Sequence, residues 1–216
     1  MSQYAVIGLG SFGATAAREL MRLGHDVIGI DSEAKFVDKI AADITYAAIA
    51  DATDEQALRE LNIEACDAVV VAIGENLEAS ILCVLHLKNL GIGQIWVKAK
   101  SKAHHMILSR LGVARIIHPE EEMGIRIAQA LNYPMVSQYM SLGHHHFIVA
   151  VEISRQLHGI CLSHLIADYD KIRVMMVKRQ HQIITVIQAE FLLELGDTLI
   201  LEGPLAELNR LAPKVS

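Results

Sequence analysis

At 216 residues the chain has room for one large domain, or for one medium and one small. Its 52% hydrophobic content against 20% charged residues excludes disorder, and its longest apolar stretches, 68–73 and 147–151, fall far short of the roughly 18 apolar residues of a helical membrane span. Lys and Arg number 19 against 25 Asp and Glu, a net charge of -6 that argues against nucleic acid or an anionic lipid surface as partner.

The three cysteines, Cys66, Cys83 and Cys161, are odd in number, far apart and set in apolar segments. They read as buried thiols outside any disulfide, in a reducing compartment. Met1 to Tyr4 leads into a strand without a basic region or a small-residue cleavage site, so a cytoplasmic protein is expected.

Tyr4 to Gly8 reads as a strand that breaks at Gly8-Leu9-Gly10-Ser11-Phe12-Gly13. A helix follows, with Ala14, Ala17, Leu20, Met21 and Leu23 spaced for one buried face. Asp26 to Ile30 is a second strand, ending in Asp31, and Ser32 is a plausible cap for a helix over 36–42. Ile44 to Ala50 is a third; after Asp51-Ala52-Thr53, Thr53 and Gln56 form a capping box for a helix through Leu61. Ala68 to Ile73 is a fourth strand, apolar enough to be buried on both faces, with a helix over 75–90 behind it. Gln94 to Ala99 is a fifth, Ser101 caps a helix through Leu111, Ala114 to His118 is a sixth, and Pro119 opens a last helix at Glu120. This alternation predicts an α/β fold, a Rossmann-like doubly wound parallel six-stranded sheet over residues 1–131.

The rhythm then changes. Asn132-Tyr133-Pro134 and Gly143-His144-His145-His146 are rich in breakers, which predicts a linker over 132–143 and a small α+β domain over 144–216. Its strands are expected at 147–153, 173–177, 183–187 and 198–202, its helices at 163–167 and 205–211. At that size it is expected to lean on a partner for stability.

The glycine turn follows a strand, opens a helix and is answered by an acidic residue closing the second strand, an arrangement that holds a nucleotide. Gly8 permits the turn, Gly10 lets backbone N–H groups approach a phosphate, Gly13 lets the helix pack on the sheet, and the helix N-terminus supplies unpaired donors. Asp31 suits the ribose hydroxyls and disfavours a 2′-phosphate. Asp51 and Thr53 lie at the edge where such sheets bind ligands and suit an adenine, or else only cap a helix. Gly74, Glu75 and Asn76 close the fourth strand on the same edge. Lys98, a lone cation in an apolar strand, is a phosphate partner or a snorkelling structural lysine.

Val6-Ile7-Gly8-Leu9-Gly10-Ser11-Phe12-Gly13, Gly24-His25-Asp26-Val27 with Asp31, Asp51-Ala52-Thr53, and Val69-Val70-Val71-Ala72-Ile73-Gly74 together resemble the RCK (regulator of potassium conductance) family, and within it the Trk/Ktr-type regulatory proteins of potassium uptake. Ile95-Trp96-Val97-Lys98-Ala99, Ile116-Ile117-His118-Pro119-Glu120 with Met123-Gly124, and Leu195-Gly196-Asp197-Thr198-Leu199-Ile200-Leu201-Glu202-Gly203 extend the resemblance along nearly the whole chain. It implies a homodimer assembling into an octameric cytosolic ring beneath a membrane potassium channel-like subunit. It also implies ATP or ADP, with NAD(H) in the Trk branch, bound in the Rossmann clefts and changing the shape of the ring. By position it assigns phosphate to Gly8, Gly10, Gly13 and Lys98, ribose to Asp31 and the flanks of the adenine to Asp51 and Thr53, with Ser11, Phe12, Ser32, Ala52, Ala72, Ile73 and Gly74 completing the nucleotide-binding set. Glu120 corresponds to a carboxylate that helps hold a cation between facing nucleotides, or it is only an acid favoured in a first helical turn.

The chain departs from the family in two places. Ser11 stands where Ktr-type proteins usually carry arginine, so a charge-assisted fork on a terminal phosphate is replaced by one neutral hydrogen bond. Leu165-Ile166-Ala167-Asp168-Tyr169 lacks the arginine that some relatives use for cyclic di-AMP, and that ligand is not assigned.

His144, His145 and His146 read as a solvent-facing linker, because neighbours on a strand point to opposite faces. His104 and His105 are expected to be partly exposed, and Met175 and Met176 to lie in a strand core. The helix from Glu120 to Leu131 shows apolar residues on more than one side; the resemblance implies that it packs on a second copy, the alternative being burial against its own sheet. The alternative function, an NAD(H)-dependent oxidoreductase, requires an acid–base pair that the second domain does not display, so no enzymatic activity is expected.

Overall fold

The computed structural model describes residues 1–132, 136–188 and 190–215. The chain divides into two units, Met1–Glu121 and Glu122–Ser216.

The first unit runs β1 (Gln3–Ile7), α1 (Ser11–Arg22), β2 (Asp26–Asp31), α2 (Ala34–Asp38), β3 (Tyr46–Ile49), α3 (Glu55–Glu60), β4 (Ala68–Val71), α4 (Leu77–Asn89), β5 (Ile95–Lys98), α5 (Lys102–Arg110), β6 (Arg115–Ile117) and the start of α6 (Pro119–Asn132). Its six strands are parallel, in the order β3-β2-β1-β4-β5-β6. The pleat sends alternate residues of β1 to opposite cores. Ala5 and Ile7 pack with Leu58, Cys83, Val84, Leu87 and Leu108 from α3, α4 and α5. Val6 packs with Ala17, Val37 and Ile40 on the α1 and α2 side. Fully enclosed side chains such as Ile7, Leu87 and Ile95 are each worth roughly 1.5 to 3 kcal/mol of burial. The chain order reverses between β1 and β4, so the carboxyl ends of these neighbouring strands form the switch point of the sheet.

The second unit holds β7 (Val136–Gly143), β8 (His146–Glu152), α7 (Leu162–Ile166), β9 (Arg173–Arg179), β10 (Gln182–Ile184), β11 (Thr198–Pro204) and α8 (Leu205–Val215). Its sheet is antiparallel, in the order β10-β9-β11-β8-β7. Leu162 and Leu165 of α7 and Leu208, Leu211 and Val215 of α8 cover one face of it. Asp197, 1% exposed, takes two hydrogen bonds from Arg179 and one from the Glu194 N–H. Burial pushes its carboxyl up, and these bonds more than offset that, leaving it below the usual carboxylate range.

The structure differs from expectation at several points. Residues 136–143, expected as linker, form β7, because the breakers at Gly143, His144 and His145 adopt positive φ and turn a hairpin back into β8. Residues 133–135 of that expected linker lie outside the described residues. The second unit begins at Glu122, within α6. The second helix starts at Ala34 with Glu33, not Ser32, at its N-cap and no side-chain cap, and the Glu33 N–H goes to the Asp31 carboxylate. The third helix is capped by Asp54 on the Gln56 N–H, since the Thr53 hydroxyl turns to Asp51. Cys161 is only partly buried, unlike Cys66 and Cys83. His104 is buried rather than exposed, its Nδ1 turned to the Lys100 N–H before α5, and Met175 is 44% exposed rather than core.

Candidate functional site

β1 ends at Ile7, and the Gly8 N–H continues the ladder to the Ile30 carbonyl at 2.8 Å. Gly8 then takes φ +93°, and a Cβ there would come within 2.9 Å of the Ala72 backbone. A Cβ on Gly13 would sit 1.8 Å from the Gly8 carbonyl oxygen, so the absence of side chains at both positions lets α1 start hard against the strand ends. Gly10 is different: the place of its Cβ has no atom within 4 Å. It is the N-cap of α1 and offers no side-chain cap, and the first turn carries no acid. The amides of Ser11, Phe12 and Gly13 have no acceptors within the helix and lie at its positive end, with open space in front of Gly10.

The Leu9 N–H donates to Asp31 Oδ2 at 2.7 Å and the Glu33 N–H to Oδ1 at 2.9 Å. Each carboxylate oxygen keeps a lone pair for a further donor such as a ribose hydroxyl. Ser32 beside it is exposed. After β3, Asp51 Oδ1 accepts from both the Thr53 N–H and the Thr53 hydroxyl, and those two bonds hold its carboxyl below the usual range. Ala52 turns its methyl into the core, so only its backbone faces the edge. After β4, Ala72, Ile73 and Gly74 are half-buried, with the Ala72 N–H bonded to the Ile7 carbonyl at 2.7 Å and Ile73 packed on the core.

Lys98 ends β5, and its Nζ lies 3.3 Å from where a Gly74 Cβ would be. The same Nζ pairs with Glu120 in the first turn of α6, and this bond lowers the Glu120 carboxyl below its usual range. The register of β2, β1, β4 and β5 sets the glycine turn, Asp31, Ala72–Gly74 and Lys98 side by side along the carboxyl edge of one sheet. The sequence placed Lys98 and Glu120 on different ligands, and the structure joins them to each other. It also shows two residues that sequence reasoning missed. His86 of α4 binds the Thr53 carbonyl through Nε2 and Glu55 through Nδ1. No motif marks them, because the contact closes over more than thirty residues of chain.

The arrangement fits an anionic nucleotide: open space before an uncapped helix start, a carboxylate fixed beside it and a lysine on the same edge. A hard divalent cation fits this chain alone less well. It takes six or more oxygen ligands, Glu120 is already neutralised by Lys98, and among the described residues no three His, Cys, Asp or Glu side chains converge.

A six-stranded parallel sheet with a glycine turn at a helix N-terminus and an acid closing the second strand defines the Rossmann-like class of nucleotide-binding folds. The TrkA-N domain model matches residues 4–119. The chain belongs to the TrkA-N family. It is 36% identical over 214 residues to the "Ktr system potassium uptake protein C" of Bacillus subtilis (strain 168), covering 99% of this chain and 97% of that one. It is 45% identical over 155 residues to the "Ktr system potassium uptake protein A" of the same organism, covering 72% and 70%. Among solved structures it is similar to the "GsuK channel bound to NAD", with a TM-score of 0.58 and 17% identity over all of this chain, a likeness of fold alone. The chain spans 38% of that channel chain's length.

Proposed function

We propose that this protein is the regulatory subunit of a potassium uptake system, binding an adenine nucleotide at the carboxyl edge of its first sheet and passing its occupancy to a membrane potassium channel-like subunit. The observation that carries this reading is the open, uncapped start of α1 at Gly10 beside the fixed carboxylate of Asp31. Its support is the end-to-end similarity to a protein named for potassium uptake. The amides of Ser11, Phe12 and Gly13 would hold phosphate, Asp31 with Ser32 the ribose, and Asp51, Thr53 and the backbone of Ala52, Ala72, Ile73 and Gly74 would enclose the adenine side. Lys98 would turn to phosphate, and only then would Glu120 be released to a cation shared with a second copy.

ATP or ADP is the ligand proposed, with NAD(H) as the alternative, and the subunit performs no chemistry on it. Ser11 supplies one neutral hydrogen bond, so discrimination by the terminal phosphate rests on Lys98. A nucleotide acts by binding one arrangement of the assembly better than another. The assembly is a homodimer building an octameric ring, and Met123, Ile125, Ile127 and Leu131, apolar yet exposed along α6, support a second copy as their cover. No helix among the described residues is long and apolar enough to cross a membrane. We place the protein in the cytoplasm, held at the membrane by the transporter subunit.

Titration calorimetry of the purified protein with ATP, ADP, AMP and NAD tests the reading. Saturable heat with at least one, and a nucleotide-dependent change of assembly size or shape without turnover, is expected. Equal, negligible heat with all four would remove it, and steady nicotinamide turnover on a carbonyl or hydroxy substrate would favour an oxidoreductase.

A further inference from the structure

His86 lies on α4, 23% exposed, between two partners on the neighbouring segment. Its Nδ1 is 3.1 Å from Glu55 Oε2, and its Nε2 is 3.0 Å from the Thr53 carbonyl oxygen. Both partners are acceptors. A carbonyl oxygen never donates, and Glu55, held down to about 2 by hydrogen bonds from Arg59, Asn89 and His86, stays ionised at any ordinary pH. A neutral imidazole has one N–H and one bare nitrogen, so it satisfies only one of the two contacts and turns a lone pair toward the other. Only a doubly protonated ring would donate to both acceptors at once.

What this ring holds matters for the site. Thr53 is fixed from the other side by its N–H and hydroxyl on Asp51 Oδ1. With His86 on its carbonyl, the whole Asp51-Ala52-Thr53 segment is clamped between its own Asx turn and α4, the helix that follows the Gly74 lip. The charged groups at the ring are Glu55 and, through Glu55, Arg59 from α3. Asp51 and Asp54 belong to the segment being held, α4 brings the neutral Asn89, and Lys88 of α4 turns away to the Gly112 carbonyl.

We propose that His86 is a proton-linked positioning residue: its imidazolium holds the Asp51–Thr53 segment in the shape that receives the adenine, so nucleotide affinity falls when the ring loses its second proton. The inference rests on the nucleotide reading above and adds a pH input to it. Histidine is the side chain whose ordinary charge change lies between about pH 5 and 8, which sets the pH span of the test.

The test measures ADP affinity by calorimetry on the full chain at several pH values from about 6 to 8, for the wild type and for His86→Gln. Glutamine offers one pH-independent donor to the Thr53 carbonyl, and protonation of ADP itself enters both proteins alike. The wild type is expected to bind about as tightly as His86→Gln at the acid end, where both hold the Thr53 carbonyl, and roughly fivefold more weakly at the alkaline end, one hydrogen bond's worth. A ratio that does not change with pH overturns the proposal and leaves the nucleotide reading standing. Absence of ADP binding by the wild type at every pH overturns both. Should the variant not fold, 15N NMR of the wild-type ring decides: added ADP must raise the pH at which His86 loses its second proton, by reciprocity, and an unmoved titration overturns the proposal.

Discussion

The Leu9 N–H donates to the Asp31 carboxylate at 2.7 Å, so the acid closing the second strand is bolted to the loop that closes the first. Asp31 thus has two tasks, fixing the turn and facing the ribose, and two substitutions separate them. Asp31→Asn keeps a carbonyl oxygen for the Leu9 N–H but loses the charge and one acceptor. Its stability is expected within about 1 kcal/mol of wild type, with ADP affinity down about tenfold. Asp31→Ala is expected to lose about 1 to 2 kcal/mol of stability as well, because the Leu9 and Glu33 amides lose their acceptor. Urea unfolding and calorimetry report the two quantities separately, and undiminished affinity in Asp31→Asn would sink the ribose assignment.

Gly10 and Gly13 stand three residues apart and should fail in opposite ways. A methyl on Gly13 meets the Gly8 carbonyl oxygen at 1.8 Å, so Gly13→Ala must push α1 off the sheet and is expected to cost about 3 kcal/mol or more. A methyl on Gly10 meets nothing within 4 Å, and its φ of -62° suits any residue. Gly10→Ala is therefore expected to cost no more than about 1 kcal/mol of stability, the penalty of alanine at an N-cap, while weakening nucleotide binding at least tenfold, since the methyl fills the space a phosphate would take. Thermal unfolding and calorimetry on the pair measure this. A Gly10→Ala protein that binds normally would move the ligand elsewhere.

The first unit was legible in the sequence because each strand is a short apolar run ended by a punctuating residue: Gly8 after β1, Asp31 at β2, Asp51 after β3, Gly74 after β4. Parallel strands buried on both faces write themselves as continuous hydrophobic segments, and the glycine turn fixes which edge carries the site. Contacts that close over long stretches of chain were not legible. Lys98 and Glu120 each carried a separate plausible role, and only the fold shows them as partners. His86 and Glu55 carry no motif at all. Gly143-His144-His145 reads equally as a linker's end or as a hairpin turn, because the two use the same breaker residues and differ only in whether the next strand folds back. Asp197, an acid in a Gly-Asp turn, gave no sign of burial, since its Arg179 lies 18 residues away.

That Arg179–Asp197 pair makes a prediction for the second unit. Asp197 is enclosed and Arg179 about a quarter exposed, so replacing Arg179 by Met leaves an unpartnered carboxylate and is expected to cost about 2 to 3 kcal/mol near neutral pH. The sign with pH follows from the depressed carboxyl. Its contribution is complete above the unfolded value of about 4 and is lost as pH falls through the folded value, so the gap between wild type and Arg179→Met should narrow below about pH 4. Urea midpoints at neutral pH and at about pH 3 check it. A gap of constant size would mean that Arg179 acts through packing on Phe191 rather than through the charge.

Lys98 cannot serve Glu120 and a phosphate equally, and this competition makes the last prediction. With Glu120 pulled below its usual range by the lysine, the pair is a closed ionic contact between the end of β5 and the start of α6. A phosphate reaching Lys98 must displace the carboxylate. Glu120→Gln removes that competitor and is expected to tighten ADP binding by about two- to fivefold when divalent cations are chelated, since an exposed carboxylate competes only weakly. Lys98→Met is expected to weaken ADP by about tenfold and AMP by less, because a charge-assisted contact to the outer phosphate is lost. Calorimetry with ADP and AMP, in chelator and then in magnesium, resolves both effects. If Lys98→Met binds both nucleotides as the wild type does, Lys98 is a structural partner of Glu120, and the outer phosphate is held by the amides of the α1 turn alone.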